Sequence, residues 1–251
     1  MMTGLYADAA ALDVFQRRHE ATTANLANLA TPGYRRRVEV LESRRLPQRP
    51  GRARRGGRPL TVPRFRIGLD FRPGELRSTG NDLDLALVGV EPGDGNAFFA
   101  VGTDRGERYT RNGRLAVDGE GRLVHAVSGF PVLGRNGVPI TLNPAKGRPV
   151  VDERGAVLQD GRVVGRLKLV RFDRLDRLSP VPHGLLAAPP EAAPEDATGR
   201  VKVRQGYLEG SNAEPVEEMV DMIANFRAYE AAQRVLRQMD ASMERLLQQT
   251  A

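Results

Sequence analysis

The sequence predicts an α+β protein in which two long terminal helices form a coiled-coil-like unit and a central, mostly antiparallel β-domain lies between them. Three observations carry this reading of the 251 residues: heptad-spaced apolar positions near the start, a longer heptad seam near the end, and Asn-Gly and Asp-Gly pairs spread through the middle. The divisions that follow are 1–42 for the first helix and its closing turn, 43–74 for a basic arm, 75–205 for the β-domain and 206–251 for the last helix.

Residues 4–30 place Leu5, Leu12, Phe15, Leu26 and Leu29 close to a seven-residue repeat, with His19 and Thr22 at intermediate seam positions. Alanines between them raise helix propensity. Thr31-Pro32-Gly33 stops the helix, because Pro32 disfavours the helical region at Thr31 and Gly33 can adopt positive φ. A helix of about 27 residues is roughly 40 Å long, long for a small domain. Asn25 and Asn28 fall near the seam, where a buried amide fixes register at some cost in stability.

The formal net charge is +7, and arginine supplies nearly all of the positive total, since lysine occurs only at Lys146, Lys168 and Lys202. From Arg44 to Arg66 there are nine arginines and no acid, interleaved with Pro47, Pro50, Pro59 and Pro63. This reads as an extended, mobile basic arm.

The middle of the chain changes to short apolar or alternating runs punctuated by Asn112-Gly113, Asp118-Gly119, Asn136-Gly137 and Asp160-Gly161. Expected strands are 83–88, 98–101, 113–117, 123–126, 138–142, 156–159 and 166–172.

Residues 214–249 carry the second seam, with Met222, Tyr229, Leu236 and Met243 at one heptad position and Asn225, Ala232, Met239 and Leu246 at the other. Pro215 suits a first helical turn, and the acids Glu217, Glu218 and Asp221 precede Arg227, Arg234, Arg237 and Arg245, as the helix dipole favours. Val216, Met219, Val220, Ile223 and Phe226 form a further apolar face that one partner helix cannot cover. Uncovered apolar surface of this kind marks an assembly interface, so polymerisation is expected.

Five separated motifs resemble those of the flagellar rod and hook proteins. Asn25 to Tyr34 (NLANLATPGY) resembles the family's N-terminal signature, with Thr31, Pro32, Gly33 and Tyr34 as its turn. Gly80 to Leu87 followed by Phe98 to Val101 resembles the entry into the β-domain, and Tyr109 to Gly113 and Gly129 to Gly134 resemble the next landmarks. Gln205 to Asn212, then Pro215 to Val220 and Arg227 to Ala231, resemble the C-terminal region. The resemblance implies a β-domain of the rod/hook type and a structural, non-catalytic subunit of the basal-body rod, exported through the flagellar type III apparatus without a cleaved signal. Its partners would be copies of itself and other axial proteins; the single modest β-domain and total length resemble a rod subunit more than the larger hook subunit, and within the rod the resemblance is read as proximal ahead of distal. The predicted assembly interface is Leu5, Leu12, Phe15, Asn25, Leu26, Asn28, Leu29, Met222, Tyr229, Leu236, Met239, Met243 and Leu246. The loop 90–97 and the basic arm depart from the family pattern.

Other readings are weaker. Zero cysteine removes disulfides, thiolate catalysis and Cys-ligated metals. His19, His125 and His183 are scattered without metal-ligand spacing, so no metal is expected. Asp82 and Asp84 share a face of an expected strand but lack a partner base, and Gly93-Asp94-Gly95 lacks the lysine of a phosphate loop, so no catalytic or cofactor site is assigned. No stretch approaches a membrane span or a cleavable signal peptide, so membrane insertion is not expected; with no catalytic or cofactor site assigned, no small-molecule substrate is expected either. The rival from another class is a nucleic-acid-binding module using the arginine arm, which has only Phe65 for base stacking. Each helical seam could also be an ordinary core helix; the ordered motifs decide against that.

Overall fold

The computed structural model describes residues 2–45, 61–91 and 96–250, with side chains described at 13–40, 65–91, 96–235, 237 and 238. The chain divides into two compact units. One combines Met1–Ala27, Arg37–Leu69 and Pro215–Ala251, and the other combines Asn28–Arg36 and Asp70–Glu214.

The first unit is built on helices α1 (Met2–Ala27) and α2 (Pro215–Thr250). α1 ends three residues before the 4–30 boundary read from the sequence, because the turn that Pro32 imposes begins upstream, with the Thr31 amide donating to the Asn28 carbonyl at 3.1 Å. α2 begins at Pro215, whose missing N–H is one of the donors a helix start leaves unused. The same unit holds an antiparallel ladder of β1 (Arg37–Arg45) and β2 (Thr61–Leu69), in register from Arg37 opposite Leu69 to Arg45 opposite Thr61. The described ends of the arginine-rich region are therefore paired strands, while 46–60 of that region and 92–95 of the altered loop lie outside the described residues.

The second unit is the β-body. Its largest sheet is six-stranded and antiparallel, with β5 (Ala97–Thr103) and β6 (Gly106–Thr110) in the middle, flanked by Leu169–Arg171 and Leu185–Ala187 and edged by Glu195–Asp196 and Ser179–Val181. β5 is buried on both faces: Phe99 and Val101 enter a core with Leu87, Leu115, Leu123, Val132, Leu169 and Val203. On the other face Phe98 meets Phe71 edge-on at 6.1 Å and Phe172 at 6.0 Å. This two-sided burial explains why the strand reads as a continuous apolar run. Shorter ladders complete the body, among them β3 (Leu76–Ser78) with Tyr207–Glu209 and β4 (Leu85–Gly89) with Val201–Gln205.

One turn reading holds and another needs correction. Asp160 and Gly161 have φ of 49° and 74° and close the tight hairpin between Ala156–Gln159 and Arg162–Arg166, as expected. Asn112-Gly113 closes no hairpin: Gly113 backs onto the Leu85 carbonyl so closely that a Cβ would lie 1.7 Å from its oxygen, and the glycine serves close approach. The expected strand 138–142 is reduced to isolated bridges, Leu133 with Pro139 and Arg122 with Thr141, since Pro139 has no amide to donate to a ladder. Asp82 sits in the turn before β4 and pairs with Arg148 at 3.5 Å, whereas Asp84 is buried, so the two do not form one acidic face. Among the described residues no helix is long and apolar enough to cross a membrane.

Candidate assembly interface

In the helical unit, the buried positions among the described side chains of α1 are Ala21, Thr22 and Asn25. Small and polar residues can fill these positions because polar partners meet them. The Asn25 amide donates to the Glu218 carboxylate at 3.0 Å and to the Arg37 carbonyl at 3.0 Å, and its oxygen accepts from the Arg37 amide at 2.8 Å. One turn earlier, the Asn225 amide donates to the Thr22 hydroxyl at 3.3 Å. The residue numbers rise along one helix as they fall along the other, so α1 and α2 run antiparallel. Arg18 pairs with Glu39 at 2.6 Å and stands over the Phe65 ring at 6.0 Å, fixing the base of the β1–β2 ladder to α1.

The predicted interface residues distribute unevenly. Asn25 is in the seam; Phe15 and Leu26 on α1 and Met222 on α2 are half-buried, and Tyr229 is 38% exposed. Asn28 and Leu29 belong to the β-body, where the Thr31 hydroxyl donates to the Asn28 side chain at 3.1 Å. Leu5, Leu12, Leu236, Met239, Met243 and Leu246 lie on the helices by backbone, and their side chains are outside the described residues. The further face on α2 is open: Val216 is 73% exposed, and Met219, Val220, Ile223 and Phe226 are each more than half exposed. Their spacing of three and four residues makes one stripe over three turns.

In the β-body, three of the motifs converge on one buried cluster. Glu209 receives Arg35 at 2.7 Å through one oxygen and Arg111 at 2.5 Å through the other, with all three side chains at most 4% exposed. Arg111 also donates to the Ala97 carbonyl and, at 2.6 Å, to the Leu87 carbonyl, while Arg35 donates to the Arg72 carbonyl at 3.0 Å. Burial pushes the Glu209 carboxyl up, but the Arg111 and Arg35 guanidiniums outweigh it and hold the group below the ordinary glutamate range. Gly33, at φ 65°, lies against the Arg111–Asn112 peptide, where a Cβ would be 2.5 Å from backbone atoms, and its amide donates to the Glu209 carbonyl at 2.8 Å. Asn212 accepts from the Arg36 amide at 2.7 Å and donates to the Asp70 and Arg72 carbonyls, each at 2.9 Å. Arg35, Arg111, Glu209 and Asn212 were not singled out from sequence, although three of them lie within the motifs; periodicity marks apolar faces and is silent about which charges share a core.

Two family models match the chain, "Flagellar hook protein FlgE/F/G D1 domain" over residues 94–159 and "Flagellar basal body rod FlgEFG protein C-terminal" over 204–249. The chain is 34% identical over 237 residues to the flagellar basal-body rod protein FlgF of Caulobacter vibrioides, covering 94% of this chain and 93% of the relative. It is 33% identical to FlgF of Salmonella typhimurium, covering 87% and 86%, and 30% identical to the flagellar basal-body rod protein FlgG of Agrobacterium fabrum, covering 94% of each. The chain belongs to the flagellar basal-body rod proteins. Membership makes it a structural subunit of the rod in the basal body and not an enzyme, and it assembles with axial flagellar proteins. The two matched regions contain Arg111 and Glu209 respectively.

Proposed function

We propose that this rod protein is a proximal-rod subunit whose α1–α2 pair works as a coiled-coil-like unit and whose remaining apolar surface is covered by neighbouring subunits. The observation that carries the reading is the open stripe Val216, Met219, Val220, Ile223 and Phe226 on a helix whose opposite side already holds α1 through Glu218 and Asn225. A stripe this long is larger than scattered surface apolar residues require, and burying it between subunits supplies the stabilisation of a stiff filament. Leu5, Leu12, Phe15, Leu26, Leu29, Met222, Tyr229, Leu236, Met239, Met243 and Leu246 would then share seams within and between copies. Torque transmission needs nothing beyond that shared packing.

The functional division is 1–42, 43–74, 75–205 and 206–251, with the helical ends supplying the surfaces that polymerise. The chain would reach the periplasm-spanning rod through the flagellar type III apparatus without a cleaved signal. FlgF relatives at 31–34% identity, against 30% for FlgG of Agrobacterium fabrum, support the proximal position. Mass spectrometry of purified hook–basal bodies, scaled to the hook subunit, tests this. A few copies per structure are expected; a severalfold larger number would assign the subunit to the distal rod.

A further inference from the structure

We infer that Arg35, Glu209 and Arg111 form a latch that closes the β-body last and holds with one carboxylate the first and last of its chain connections, at 28–36 and 210–214. The inference stands on the geometry of the body alone and holds whichever rod position the protein occupies.

Two independent features point to it. The first is charge. Two guanidiniums, 4% and 2% exposed, share one carboxylate, 2% exposed. Burying a guanidinium without an anion is costly, so neither Arg35 nor Arg111 settles into the body before Glu209 arrives. The second is topology. Among the described strands, β3 pairs only with Tyr207–Glu209 and β4 only with Val201–Gln205. The central sheet, by contrast, is paired within residues 97–196. The early segments 28–36 and 70–78 are thus tied chiefly to residues 207–212, whereas 83–87 is also bonded to 111–115, and Glu209 and Asn212 are where that band is fastened.

The fastening is shared between the two connections. Residues 28–36 follow α1 in the chain and 210–214 precede α2, and both are tied at this point. The Gly33 amide donates to the Glu209 carbonyl, the Asn212 amide donates to the Tyr34 carbonyl at 3.4 Å, and the Asn212 side chain accepts from Arg36. Opening the latch releases both connections together and leaves the central sheet paired. A release of this kind is a sub-global opening, with its own free energy below that of global unfolding.

Hydrogen exchange read by mass spectrometry on the full chain tests this with two variants. Glu209→Gln removes the shared charge, and Asn212→Ala removes only the side-chain clamp while leaving the ion pairs. Both are expected to speed exchange at least about tenfold in 28–36, 70–78 and 205–212, with the central strands 97–103, 106–110 and 169–171 keeping wild-type protection. Faster exchange in 28–36 without the same change in 205–212 would overturn the shared latch. Equal acceleration through the central strands in Asn212→Ala would show one cooperative core, and unchanged exchange in both variants would show that the cluster fastens nothing.

Discussion

Asn25 and Glu218 are 193 residues apart in sequence and meet through a 3.0 Å hydrogen bond in which each residue is about 1% exposed. This contact sets the antiparallel register of the two terminal helices. An amide here also serves the β1–β2 ladder, because the same side chain bonds both backbone groups of Arg37. Asn25→Ala removes these bonds from a buried position and is expected to destabilise the helical unit by about 2 kcal/mol. Urea unfolding followed by helical circular dichroism measures it; a change below about 0.5 kcal/mol would mean the seam is held by packing alone.

Gly33→Ala is expected to cost at least about 2 kcal/mol, because the residue sits at positive φ and its Cβ would enter the Arg111–Asn112 peptide. Gly137 also has positive φ, but a Cβ there meets nothing within 4 Å, so Gly137→Ala carries only the conformational penalty of about 1 kcal/mol. Comparing the two by thermal denaturation separates close approach from backbone strain; equal losses would remove the steric contribution at Gly33.

The outline of the fold was legible because apolar periodicity and turn chemistry are local. Val157 and Leu158, the Asp160-Gly161 hairpin and the long α2 pattern follow from neighbours in sequence. The polar fastenings were not, because Arg35, Arg111 and Glu209 become partners only when strands far apart in the chain are brought together. Leu26 and Leu29 illustrate the same limit: both fit a heptad template, yet both are half-buried, and the inward positions go to Ala21, Thr22 and Asn25. Among the described side chains the seam is polar: heptad spacing puts Thr22, Asn25 and Asn225 at or near it, whereas Glu218, the partner of Asn25, lies off that template.

His125 makes the β-body acid-sensitive. Its ring is fully buried, with Nδ1 2.8 Å from the Ser128 hydroxyl and no hydrogen-bond partner at Nε2. Burial, aided by the nearby His183, pushes its pKa down to about 4. The unfolded chain takes up this proton near pH 6.5 while the folded chain resists it, so the contribution is complete above about 6.5 and drains away between there and about 4. The loss amounts to about 3 kcal/mol over that window. Urea titrations from pH 7.5 to 4.5 should show the decline in wild type and a flatter profile in His125→Leu. Identical slopes would place the acid sensitivity elsewhere.

Ile223 lies in the open stripe of α2, 55% exposed, and contributes little to the isolated chain. Ile223→Asp should therefore leave the monomer's stability within about 0.5 kcal/mol of wild type, while a carboxylate buried between subunits would cost several kcal/mol at each contact. The decisive measurement is the amount of Ile223→Asp protein in hook–basal bodies purified from cells lacking the wild-type subunit. The account predicts a stable, folded variant that is absent from the rod. Incorporation at the wild-type level, from a variant of unchanged stability, would contradict the assignment of this stripe as the surface on which the filament is built.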